Sequence, residues 1–263
     1  MTKINAIIRK EWGEVFKNRF VLFTVAFLPL ILTAIPLIIL GSTQDLAGIA
    51  GSAATEFPAQ FTELCQGMSG GECTQYFIVS QFILLFMMMP VMIPVTIASY
   101  SIVGEKTTRT LEPVLATPIR TIELLIGKAL AAIIPALIAT WGSYLIFTLG
   151  AKILTDSSSV ASKLFDPLWI LAIFLVGPLL SVASVSIAVM VSSRVSDPRV
   201  AEQISALVVL PVLGLFISQS MGLIFLNEEL ILWIAAAMLI IDGGLLAFAT
   251  QLFQRESILT RWK

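Results

Sequence analysis

"CTQYFIVSQFILLFMMMPVMIPVTIASYSIVG", residues 73–104, runs for thirty-two residues without a Lys, Arg, Asp or Glu. A helix crosses the hydrocarbon of a bilayer with roughly 20 apolar residues, so a run of this length reads as a membrane span. Four more charge-free runs, Phe20 to Gln44, Ala129 to Ala151, Pro167 to Ser193 and Gln203 to Asn227, are each at least 23 residues long. Leu230 to Gln254 is interrupted by Asp242 alone. Each of its halves is too short to cross by itself, so it reads as one helix with an acid near its middle. The whole chain of 263 residues agrees, being 57% hydrophobic and only 13% charged, with no His and a mean hydropathy of +0.96. A soluble domain carries roughly 25% charged residues. The expected fold is therefore an all-α integral membrane protein of six transmembrane helices.

Basic residues in the connections orient such a protein, because cytoplasmic loops keep Lys and Arg. Lys3, Arg9, Lys10, Lys17 and Arg19 precede the first span; Lys106, Arg109, Arg120 and Lys128 follow the second; Arg194 and Arg199 follow the fourth; Arg255, Arg261 and Lys263 follow the sixth. Only Lys152 and Lys163 fall on the other side. Both termini are expected in the cytoplasm of a cell that holds the protein in its plasma or inner membrane. The first span has a long charged lead, which argues against a cleaved signal peptide. No basic run exceeds two residues, which sets nucleic acid aside as a partner.

The expected segments are an interfacial helix at 1–19, spans at 20–42, 77–100, 119–150 with a cytoplasmic lead-in, 168–193, 203–226 and 230–254, an external loop at 43–76, and a coupling segment at 101–118. In the lead, Ile4, Ile7, Ile8, Trp12, Val15 and Phe16 recur at helical spacing, with Lys3, Arg9, Lys10, Glu14 and Lys17 opposite. That pattern suits an amphipathic helix in the membrane interface. Cys65 and Cys73 both fall in the external loop, separated by "QGMSGGE". The compartment and the flexible spacer permit a disulfide; two free thiols are the alternative.

In the coupling segment, "GEKTTRTLEPVLATPIR" (104–120), Pro113 is tolerated only in a first helical turn, and Thr117-Pro118 reads as an N-cap followed by Pro at the first helical position. A short helix is expected from about Leu111 to Ala116. Leu111, Val114 and Leu115 share a face rimmed by Glu105, Lys106, Arg109 and Glu112. An apolar knob ringed by charge suits docking into a groove of a soluble protein; a solvated loop is the plain alternative.

"GEKTTRTLEPVLATPIRTIELLIGK" (104–128) resembles the signature of the ABC-2 type permeases, the membrane subunits of ATP-driven exporters, through Glu105, Thr110, Leu111, Glu112, Leu115, Thr117, Pro118, Gly127 and Lys128. "SSRVSDPRVAEQISALVVLP" (192–211) and the tail "FQRESILTRWK" (253–263) are similar to the branch that includes the sodium-efflux-type permeases, many of which have a large external domain where this chain has only 43–76. The resemblance implies two permease copies, or two homologous permeases, around a central path. It also implies a nucleotide-binding ATPase subunit that docks on the short helix after span 2. On that reading Glu105, Arg109, Leu111, Glu112, Val114 and Leu115 couple ATP hydrolysis to the spans. The chain has no G-x-x-x-x-G-K-[ST] loop. It is thus expected to be a transport subunit rather than an enzyme, with ATP and magnesium on the partner and no cofactor, catalytic residue or metal site of its own.

Asp242 is the one ionisable residue inside an expected span, where an unpaired carboxylate costs several kcal/mol. It reads either as an ion- or proton-coupling group or as a clamp between helices, with Ser181, Ser184 or Gln219 as partners beside the close-packing pair Gly243-Gly244. Prolines 29, 36, 90, 94, 135, 178 and 211 fall inside spans and are expected to kink them. The competing functions are a secondary carrier and a membrane anchor that recruits a partner without transport.

Overall fold

The computed structural model describes residues 3–50, 70–107, 120–154 and 163–252, and among them every regular element is helical. The elements are α1 (Lys3–Val15), α2 (Arg19–Ala50), α3 (Gly70–Thr107), α4 (Thr121–Leu154), α5 (Pro167–Arg194), α6 (Pro198–Ser220) and α7 (Glu228–Leu252). The six from α2 to α7 are long and apolar enough to cross a membrane. α3 is the axis of the bundle: it touches α1, α2, α4, α5 and α6, and it is the most completely buried of the six. α7 packs on the outside, along α5.

Helix ends lie where caps put them, and charge does not mark them. α2 continues to Ala50, while α3 starts at Gly70 and runs through Thr107, so parts of the expected external loop and coupling segment are helical. A helix satisfies its own backbone hydrogen bonds and has no need to stop at the bilayer edge. α6 begins five residues earlier than the charge count suggests, because Pro198 opens it and the Asp197 carboxylate accepts the Arg199 amide at 2.8 Å. It ends at Gly222, whose φ of 72° only glycine adopts without strain, and the Leu223 amide returns to the Ser218 carbonyl at 2.9 Å. The apolar residues Leu223 to Leu226 therefore belong to a turn. Asn227 then opens α7 by accepting the Leu230 amide at 2.7 Å.

The intramembrane prolines do more than bend helices. A proline has no N–H, so the carbonyl four residues earlier loses its partner. Pro94 frees the Pro90 carbonyl, and the Ser184 hydroxyl of α5 donates to it at 3.4 Å. Pro135 frees the Ala131 carbonyl, and the Trp12 indole of α1 donates to it at 2.9 Å. In α5 the chain widens into a π-turn at Leu171–Val176, just before Pro178. In that five-residue register the Ile173 carbonyl is the one left over, and the Trp141 indole of α4 donates to it at 3.4 Å. Each of these three freed acceptors is thus taken by a side chain from a different helix. In hydrocarbon, where no water can serve, this converts a backbone defect into a contact between helices.

Elsewhere the contacts are apolar. Phe86, Phe147, Tyr144 and Trp169 stack across α3, α4 and α5, with ring centroids 5.2 Å apart for Phe86–Phe147 and 6.0 Å for Tyr144–Trp169. α2 packs tightly on α4 at Gly150, where a Cβ would lie 2.7 Å from the nearest methyl of Leu37.

Candidate functional site

The described part of the chain concentrates its buried charge in one place, at the end of the bundle that carries α1. Within α1, Ile7, Glu11 and Val15 form the buried stripe. The spacing of four puts the carboxylate of Glu11 on the same face as the two apolar side chains. α1 therefore does not present a purely apolar face: it is seated against α4 and, less extensively, α3. Its Ile7 occupies the space over Gly127, where a Cβ would come within 2.8 Å of the nearest Ile7 carbon. The Trp12 indole sits on the carbonyl freed by Pro135.

Between these two contacts lies a cluster of four charges. The Lys128 ammonium of α4 pairs with Glu11 at 2.7 Å and with Glu105 of α3 at 2.8 Å, and it also donates to the Ser101 hydroxyl at 2.9 Å. Ser101 in turn donates to the second oxygen of Glu11. Lys10 closes the cluster on Glu105 and lies 3.8 Å from Glu11 and 3.5 Å from Glu14. Glu11, Glu105 and Lys128 are 2%, 3% and 6% exposed, so these charges are out of water and held by each other. Two lysines face two buried glutamates, and the core of the cluster is neutral, as a low-dielectric site requires. At the half-exposed Lys10, burial pulls the ammonium pKa down, but the hydrogen bond and charge of Glu105, with Glu11 and Glu14 behind it, outweigh that and hold it above the ordinary lysine value.

Position gives the cluster its significance. Glu105 lies two residues from the end of α3 and Lys128 two turns into α4, so the cluster joins the two helices that flank residues 108–119, and ties both to α1. At the other side of the α3 terminus, Lys106 donates to the carbonyls of Ser193 and Val195, each at 3.3 Å, at the exit of α5. The Thr96 hydroxyl donates to Glu202 of α6 at 2.6 Å. The connection from Arg194 to Glu202 is thereby clasped to α3. The last stretch of α3, from Thr96 to Lys106, thus contacts α1, α4, α5 and α6.

Of the residues singled out in the sequence, Glu105 has an inner position. Its carboxylate is buried and pairs with the two lysines. Arg109, Leu111, Glu112, Val114 and Leu115 lie outside the described residues, as does Cys65. Cys73 is buried near the start of α3 with Tyr76, Phe77 and Phe225. Glu11 falls on neither face of the amphipathic lead as the sequence is read, although its spacing from Ile7 and Val15 reveals it; Lys128 belongs to the signature and Ser101 lies just before it, and nothing in the sequence marks either as a partner of Glu11.

Asp242 is 5% exposed, and among the described residues neither of its oxygens has a hydrogen-bond partner. Ser181 donates to the Gly177 carbonyl, Ser184 to the Pro90 and Ser181 carbonyls, and Gln219 to the Ser80 carbonyl, so none of the three clamps it. The adjacent glycines are not a close-packing pair: a Cβ on Gly243 or Gly244 would meet nothing within 4 Å, because both face outward while Asp242 faces in.

A family model described as ABC-2 family transporter protein matches residues 5–242. A search of the curated proteins finds no match.

Proposed function

The chain belongs to the ABC-2 transporter family, and from that premise we propose that it works as the permease subunit of an exporter in the plasma or inner membrane, both termini cytoplasmic, with two permeases forming the path and a separate ATPase subunit driving it. The observation that carries this reading is the buried cluster of Lys10, Glu11, Glu105 and Lys128. It braces the two helices that hold residues 108–119, the segment whose Leu111, Val114 and Leu115 are suited to dock on the ATPase, with Arg109 and Glu112 at the rim. A displacement of that segment by nucleotide would then reach α1, α3 and α4 together, because ion pairs and close packing allow little relative motion between them. Glu105 works from inside this linkage, by fixing the end of α3. ATP and magnesium belong to the partner.

The test is purification of the tagged chain from its native host in mild detergent, with identification of what accompanies it in stoichiometric amount. A protein carrying a phosphate loop is expected, and its loss from a folded Leu111→Asp, Leu115→Asp variant is expected too. A chain that emerges alone, with ATP without effect on it, would refute the proposal.

A further inference from the structure

α7 turns Ile231, Ala235, Asp242 and Ala249 toward the rest of the protein, and the spacing of four, seven and seven places them in one stripe along the seam with α5. Three of the four are apolar; the fourth is a carboxyl group that no described group hydrogen-bonds. The helical segments packed against α7 are Pro167–Ile170, the π-turn Leu171–Val176 and Gly177–Arg194, all of α5. Their only charged side chain is Arg194, the last residue of α5, which is exposed and makes no ion pair with Asp242 among the described residues. On α7 itself Glu228 and Glu229 stand exposed at the N-terminal end, fourteen and thirteen residues away, or roughly 20 Å along the axis at about 1.5 Å per residue. Among the described residues, the site thus offers an ionised carboxylate no counter-charge and no donor, and Asp242 is 5% exposed. Holding a bare charge there costs several kcal/mol or more, whereas the neutral acid forgoes only hydrogen bonds.

We propose that Asp242 is a proton-binding site within the membrane: it holds its proton while α5 and α7 are closed together, and exchanges it with water when the seam opens. In the exchange the carboxyl O–H bond breaks, the proton passes to water, and the carboxylate remains until it is reprotonated. The π-turn Leu171–Val176 of α5 packs against α7, and two of the four residues that α7 buries are alanines, Ala235 and Ala249, so α7 puts little side-chain bulk into the seam. This inference does not depend on the ATPase partner.

The test uses the full chain in lipid nanodiscs and infrared spectroscopy, which separates the carbonyl stretch of a protonated carboxyl from the ionised carboxylates. At pH 8 the wild type is expected to carry a protonated-carboxyl band that Asp242→Asn lacks, and in D2O that band is expected to shift as the proton is replaced by deuterium. Absence of the band at pH 8 would overturn the proposal, since Asp242 would then be ionised beside a cation. A band unmoved after days in D2O would overturn it equally, because the acid would be a locked structural group. Asn keeps the volume, so the variant is expected to fold; thermal unfolding in the same discs checks that, and Asp242→Leu serves as the difference control should Asn fail. Failure to find an ATPase partner would sink the preceding proposal and leave this one standing.

Discussion

Replacing Lys128 with Met tests whether the charge cluster holds α1 to the spans. At 2.7 and 2.8 Å, each pair attracts by roughly 6 kcal/mol at an effective dielectric of about 20. Desolvating the ions cancels much of this, so the net contribution of the intact cluster is small. The asymmetry lies in the single variant. Lys128→Met leaves Glu11 and Glu105, both nearly inaccessible, with only Lys10 to share, and breaking a buried pair from one side costs about 3–5 kcal/mol. For a chain of this size that is a fall in thermal midpoint on the order of 10 °C. Adding Glu11→Gln to Lys128→Met removes one of the stranded charges, so the double variant is expected to be more stable than the sum of the singles implies, by about 1.5–3 kcal/mol. The assay is thermal unfolding in nanodiscs of the wild type, both singles and the double, with protease cleavage of α1 followed in parallel. If Lys128→Met lies within about 0.5 kcal/mol of wild type, or the two changes are additive within that margin, the cluster does not anchor α1 and the proposed linkage loses its basis.

Further predictions concern the same attachment. Gly127→Ala places a methyl 2.8 Å from Ile7 and is expected to lift α1 off α4 at a cost of about 1–3 kcal/mol, read as faster proteolysis of α1 while the spans stay folded. Trp12→Phe keeps an aromatic ring but removes the indole N–H and so orphans the Ala131 carbonyl beneath Pro135. About 1–3 kcal/mol should be lost, and restoring an N–H by Pro135→Ala should recover most of it; no recovery would disprove the carbonyl-filling account. Because the Lys10 pKa is raised in the folded state, its contribution is complete below the ordinary lysine value and is lost only as pH rises through the folded value. Cleavage of α1 should accordingly be flat from pH 6 to 9 and accelerate in strong alkali, an increase that Lys10→Met abolishes.

How legible was this in the sequence? The spans were, because the cost of placing charge in hydrocarbon leaves a mark that counting detects. Helix ends were not, since caps such as Asp197 and Asn227 are single residues whose effect depends on local backbone geometry. The prolines were legible as interruptions, yet their freed carbonyls could not be assigned to Trp12, Trp141 and Ser184, which lie 119, 32 and 94 residues away from their acceptors. Glu105 illustrates the same gap. A charge beside an apolar knob looks like a docking contact when its partners are unknown, and it becomes an internal brace once Lys128 and Lys10 are found beside it.

By itself, then, the sequence determined the class of the protein, the number of its spans, and the region where its two central helices connect, because hydropathy and charge are additive along a chain and need no knowledge of neighbours. Tertiary structure alone decided which charges are interior. Glu11, Glu105 and Lys128 are ordinary surface residue types, and they become a buried cluster only because Gly127 lets α1 approach α4 and the freed carbonyl at Ala131 fixes its register. Asp242 is the converse case: its place within a span was evident from the start, but that no described residue hydrogen-bonds it became visible only when the faces of α5 and α7 were brought together.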